Sequence, residues 1–144
     1  MTFNYSFIVE VIAAIRKRKI TTIAGNHDLK VTGLHTNPED LQQPGKNYAY
    51  HIINDTARDY LKTLPSYIKL EYRLNNEALK LYLAHGSPRR VDEYVLVDTD
   101  QQHVLDMMNE AGADVLFVGH SHKPYHRVVQ TAEGHYKHVI NTGS

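Results

Sequence analysis

The sequence predicts an α/β protein, with sheets carrying helices on their faces, and three observations support this. Apolar residues recur at helical spacing in some segments, while others alternate or run unbroken over strand-length stretches. Helix-like and strand-like segments are interleaved along the chain, the order that sheets flanked by helices require. Three strand-like runs stop at a glycine beside polar residues, "IAGNHD", "LAHGSP" and "FVGHSH". In α/β folds the loops beyond the carboxyl ends of strands converge, so ligand sites collect there. Each of these three loops carries histidine.

The elements follow in order. Phe7, Ile8, Val11, Ile12 and Ile15 have helical spacing, and Arg16 to Lys19 place cations where the last turn welcomes them. "ITTIAG" is rich in β-branched residues and reads as a short strand ending at Gly25. From Leu29 to Gly45 the turn-formers Asn37, Pro38, Pro44 and Gly45 predict a loop with at most a short helix. "NYAYHIINDTARDYLKTL" is helical, restarting at Asn54 or Asp55 and stopped by Pro65. "YIKLEYRL" and "LKLYLAHG" form a hairpin about "NNEA". "TDQQHVLDMMNEAG" is a helix ended by Gly112. "DVLFVG" is nearly all apolar and reads as a strand covered on both faces. "YHRVVQT" and "HYKHVIN" close the chain as a second hairpin across "AEG".

Composition limits the function. With 144 residues the chain is expected to form one domain, residues 1–144, with a real core. Lys plus Arg equals Asp plus Glu, so no global field draws it to nucleic acid or to an anionic membrane. There is no cysteine, which rules out disulfides and thiolate metal sites and fits a cytoplasmic setting. Apolar runs reach about half of the roughly 20 residues that span a bilayer. The expectation is a cytoplasmic protein with a small-molecule partner.

Ten histidines prompt a search for metal ligands. Asn26 offers an amide oxygen, His27 a proton, and Asp28 a carboxylate able to fix a histidine tautomer. "GNHD" alone reads first as a turn. His85 stands between the run "LYLA" and Gly86. His120 and His122, two apart on an extended segment, would project to one side, about 6–7 Å apart. That spacing suits two metal ions, each taking one imidazole.

In combination, "GNHD", "AHG" and "GHSH" resemble the later motifs of the calcineurin-like metallophosphoesterases. The ending "GADVLFVGHSHKPYHR…HVINTGS" is most similar to the compact phosphodiesterase subgroup. The resemblance runs from Phe7 to Ser144. It implies a sandwich of mixed β-sheets flanked by helices. It further implies that Asn26, His85 and His120 share one metal, that His122 binds a second, and that His27 is the acid to the leaving oxygen with Asp28 orienting it. The implied reaction is in-line hydrolysis of a phosphomonoester or phosphodiester, with a small molecule or nucleotide as substrate. The implied cofactors are two divalent transition-metal ions, manganese first, with iron, zinc or nickel as alternatives.

The family's opening Asp-x-His and its "GDxxD" segment have no counterpart before Gly25, where Glu10 is the one acid. The expectation is therefore an incomplete domain truncated at its N-terminus, weakly active or inactive. A non-catalytic binding protein of the same fold is the competing expectation. Elsewhere, Arg89 and Arg90 are candidates to meet a substrate phosphate, and His35, His51 and His126 to line the cleft. His103 is expected to be solvated, and His135 and His138 exposed. The tyrosines at 48, 50, 60, 67, 72 and 82 are expected to pack in or near the core.

Overall fold

The computed structural model describes residues 6–33, 37–41 and 48–143, without the side chains of Ser6, Asp40, Leu41 and Tyr48. His35 and the side chain of Tyr48 lie outside that range. The chain divides into two compact units, Met1–Pro65 and Ser66–Ser144.

The first unit is helical among its described residues. It contains α1 (Ser6–Lys17), α2 (Asn26–Thr32), α3 (Pro38–Leu41), α4 (Tyr48–Ile52) and α5 (Asp55–Lys62). Arg16 and Lys17 occupy the last turn of α1, where exposed carbonyls favour cations. The strand expected at 20–25 does not form. Its β-branched residues allow extended backbone, but a strand needs a neighbour, and here Ala24 N–H reaches the Pro65 carbonyl at 2.9 Å in place of a ladder. Where a loop with at most a short helix was expected from Leu29 to Gly45, the end of α2 and the short α3 are described. Gly25 caps α2 in extended backbone, Asp28 Oδ2 accepts the Gly25 N–H at 2.8 Å, and Gly33 ends it at φ 73°. Asn54 caps α5 through Oδ1, which accepts Ala57 N–H at 2.8 Å, the restart expected from the sequence.

Val31, Ile53, Ala57 and Leu61 form this unit's small core, with Ile12, Ala49, Ile52, Tyr60 and Leu64 against it. Arg58 ties three helices together. It donates to the carbonyls of Val31 (2.8 Å) and Tyr50 (2.7 Å), and its guanidinium lies 4.0 Å from the Tyr50 ring centroid. Both carbonyls sit in final helical turns, where no intrahelical N–H is available.

The second unit is one mixed five-stranded sheet with a helix. It contains β1 (Tyr67–Leu74), β2 (Glu77–Ala84), α6 (Gln101–Ala111), β3 (Val115–Val118), β4 (Tyr125–Gln130) and β5 (Tyr136–Asn141). Their order across the sheet is β1-β2-β3-β5-β4. The three middle strands run parallel, and each outer strand folds back antiparallel as a hairpin arm. The first hairpin turns on Asn75 and Asn76, both at positive φ (50° and 69°), so Glu77 and Ala78 belong to β2 and not to the turn. Asp100 Oδ1 caps α6 by accepting His103 N–H at 3.0 Å, and Gly112 ends it at φ 65°.

The core joins Val104, Leu105, Met107, Met108 and Ala111 of α6 to Tyr82, Ala84, Leu116, Val118, Val129 and Val139 of the sheet. Met107, Met108 and Leu116 are fully buried. Val115 and Phe117, on the other face of β3, are only half-buried, so the cover expected on both faces is complete on one. Among the described residues, no helix is long and apolar enough to cross a membrane.

Candidate metal centre

The parallel pairing of β2 with β3 decides where two of the expected ligands meet. Leu83 and Phe117 are register partners, so both strands end at one level, and His85 and His120 lie just beyond. The backbones are joined by Gly119 N–H donating to the His85 carbonyl at 2.8 Å. His120 Nδ1 and His85 Nε2 lie 3.2 Å apart, with ring planes inclined at 61°. Two imidazoles sharing a tetrahedral ion at bonds of about 2.0–2.1 Å bring their nitrogens about 3.3 Å apart, close to this separation, which without an ion is that of a hydrogen bond between the two rings. Among the described residues, no three side chains of His, Cys, Asp and Glu gather around one point.

The segment carrying His120 and His122 is not extended. Both residues have positive φ (61° and 57°), and Ser121 N–H donates to the Gly119 carbonyl at 2.6 Å, closing a three-residue turn centred on His120. The same-side argument for His120 and His122 therefore fails, because it assumes strand geometry. Asn141, the last residue of β5, is 2% exposed and lies beneath this turn. Its Nδ2 donates to the Gly119 carbonyl at 3.0 Å and to Ser121 Oγ at 2.9 Å, while its Oδ1 accepts Gly143 N–H at 2.9 Å. His122 is exposed.

The loop after His85 is held by a second network. Ser87 Oγ accepts the N–H groups of Arg89 and Arg90 at 3.0 Å each and donates to Glu93 Oε2. The other Glu93 oxygen lies 3.2 Å from His103 Nε2, and His103 Nδ1 lies 3.4 Å from Arg89 Nη1. Because Arg89 has only donors, both contacts are hydrogen bonds when the His103 proton sits on Nε2 facing Glu93 and Nδ1 accepts. Burial pushes the Glu93 carboxyl up, but hydrogen bonds from Ser87 and His103 outweigh it and hold the group below the ordinary carboxylate range. His103 is thus engaged on both ring nitrogens and not merely solvated.

Arg89 makes two hydrogen bonds to Glu110, at 2.8 and 2.7 Å, and Arg90 pairs with Asp92 at 3.1 Å. Hydrogen bonding to these arginines holds the Glu110 and Asp92 carboxyls low. The geometry therefore gives both arginines carboxylate partners within the protein. Tyr94 packs on the candidate site, with its ring centroid 4.4 Å from that of His120. Ser87, Glu93, Tyr94 and Asn141 were not among the residues sequence reasoning selected. The one signal available was their place in "HGSPRRVDEY" and "INTGS", since loop contacts have no period.

Asn26, His27 and Asp28 form the first turn of α2 in the first unit; His27 is exposed. The partner the structure gives Asp28 is the Gly25 N–H. Away from the centre, His126 Nε2 and His138 Nδ1 lie 2.9 Å apart, so one of these facing nitrogens carries a proton and the other accepts it.

The sequence profile of the calcineurin-like phosphoesterase superfamily domain matches residues 3–144. The chain belongs to that superfamily. Two solved structures share the metallophosphoesterase fold. The hypothetical protein PH1004 of Pyrococcus horikoshii OT3 is 21% identical with a TM-score of 0.64, over 95% of this chain and 56% of that one. A metallophosphoesterase of Sphaerobacter thermophilus is 19% identical with a TM-score of 0.63, over 94% and 58%. The chain thus spans little more than half the length of these two proteins. No curated protein matches it.

Proposed function

We propose that the chain carries the histidine-rich part of a metal-dependent phosphoester hydrolase site. The observation that supports this is the pair of imidazole nitrogens 3.2 Å apart at the ends of two parallel strands, in a chain of the calcineurin-like superfamily. In this reading His85, His120 and the Asn26 amide hold one divalent ion, manganese first, and His122 contributes to a second. When bound, the ions would neutralise charge developing on the phosphoryl oxygens. His27, in its protonated form, donates to the departing oxygen, and Asp28 keeps that ring oriented. His27 is exposed, which leaves it open to substrate. The substrate is a small-molecule or nucleotide phosphoester, and the setting is cytoplasmic.

Calorimetric titration of the 144-residue chain with Mn²⁺ tests the reading. Weak binding is expected, together with slow hydrolysis of bis(p-nitrophenyl) phosphate. His120→Ala should abolish the binding, whereas His135→Ala should leave it unchanged. Equal Mn²⁺ affinity in wild type and His120→Ala would remove the centre.

A further inference from the structure

We infer that Asn141 is a positioning residue, whose buried amide fixes the turn that aims His120 and His122; the functional part of this inference rests on the metal reading above. Positive φ at a non-glycine residue is strained, and a three-residue turn of this hand is rare. Here two histidines two residues apart both have positive φ, and His120 is at the centre of such a turn. Such a conformation persists only when its surroundings impose it. Asn141 supplies that restraint. Its two N–H groups reach the Gly119 carbonyl and Ser121 Oγ, the residues on either side of His120. Its carbonyl oxygen takes the N–H of Gly143, which is itself at φ 72°. Three of its four hydrogen-bonding capacities are used on backbone and loop, and the side chain is almost wholly buried. A residue needed only for packing at this strand end would be apolar, like Val139 two places earlier.

The function of the arrangement is to hold His120 Nδ1 facing His85 Nε2 before any ion arrives. Without the clamp, the Gly119 carbonyl loses one of its donors and the 119–122 segment relaxes toward negative φ. The imidazole then swings away from its partner.

The test compares three variants of the 144-residue chain. Amide-to-Hα couplings and Cα shifts of His120 and His122, in metal-free protein, report φ directly. A Co²⁺ titration followed by visible absorption reports affinity and coordination geometry. Asn141→Ala should move His120 out of positive φ and lower Co²⁺ affinity about tenfold or more, the usual consequence of losing a group that orients a ligand. Ser121→Ala, which removes one acceptor from a half-exposed loop, should shift both readouts less and in the same direction. Val139→Ala destabilises the same strand without touching the loop and should change neither.

Unchanged His120 couplings in Asn141→Ala would overturn the inference. So would a Val139→Ala variant that loses as much Co²⁺ affinity. Should Asn141→Ala not fold, Ser121→Ala decides, and unaltered couplings there count against the proposal. A wild-type chain that takes up no Co²⁺ would sink the metal reading, while the couplings would still settle the role of Asn141.

Discussion

A Cβ added at Gly86 would lie 2.5 Å from the Val91 carbonyl oxygen and 2.7 Å from that of Arg90, backbone atoms that cannot swing aside. Gly86→Ala should therefore displace the loop after His85 and cost about 1–3 kcal/mol, the usual range for overpacking. A urea midpoint equal to that of wild type would show that the loop yields freely. Arg58 acts differently: it serves carbonyls that helices α2 and α4 leave open. Arg58→Met keeps much of the apolar stem and removes the donors. It should lose about 2 kcal/mol, as expected for hydrogen bonds from a charged group, again read from the urea midpoint. Residues of this kind were partly legible in the sequence. Gly86 stood out beside His85, because a glycine at a strand end signals close approach. Nothing local marked Asn141 or Glu93, since their partners lie 20 residues and six to ten residues away in irregular backbone.

The elements were easier to read than the contacts between them. Helices α1, α5 and α6 and both hairpins followed from apolar spacing and caps that operate within a few residues. The segment 20–25 had the composition of a strand, yet pairing depends on a distant neighbour that composition does not encode. The turn at His120 failed for a related reason: its strained backbone depends on β5.

At this scale the network joining the 85–95 loop to α6 makes a prediction about acid. The folded Glu93 carboxyl sits below its ordinary value, so its contribution is present above the unfolded value and is lost as pH falls through the folded one. Glu93→Gln should lower the thermal midpoint near neutral pH. The two curves should converge on acidification below the ordinary carboxylate range. A gap that stays constant with pH would show that the carboxylate charge is irrelevant.

At the scale of the whole molecule, the division at Pro65 and Ser66 separates a small helical core from a sheet with its own well-buried centre. Residues 66–144 carry β1 to β5, α6, the His85–His120 contact and the Asn141 clamp. That fragment should fold alone, with dispersed amide resonances and His120 still at positive φ. A collapsed amide spectrum would show that the sheet needs the first 65 residues. The superfamily was visible from three short motifs: "AHG" and "GHSH" sit where the parallel strands β2 and β3 end, and "GNHD" opens α2. Substrate class was not visible, because the residues that would select it have no required type or spacing.

Among the described residues the outer strand β1 has a neighbour on one side only, and it alternates Lys69, Glu71 and Arg73 with Ile68, Leu70 and Tyr72. An antiparallel second copy docking edge to edge would have to crowd those ionic groups into a shared ladder and strip their water. The protein's formal charge is zero near neutrality, so overall repulsion gives little colloidal protection. Alternating charges along this rim therefore disfavour edge-to-edge association of the sheet.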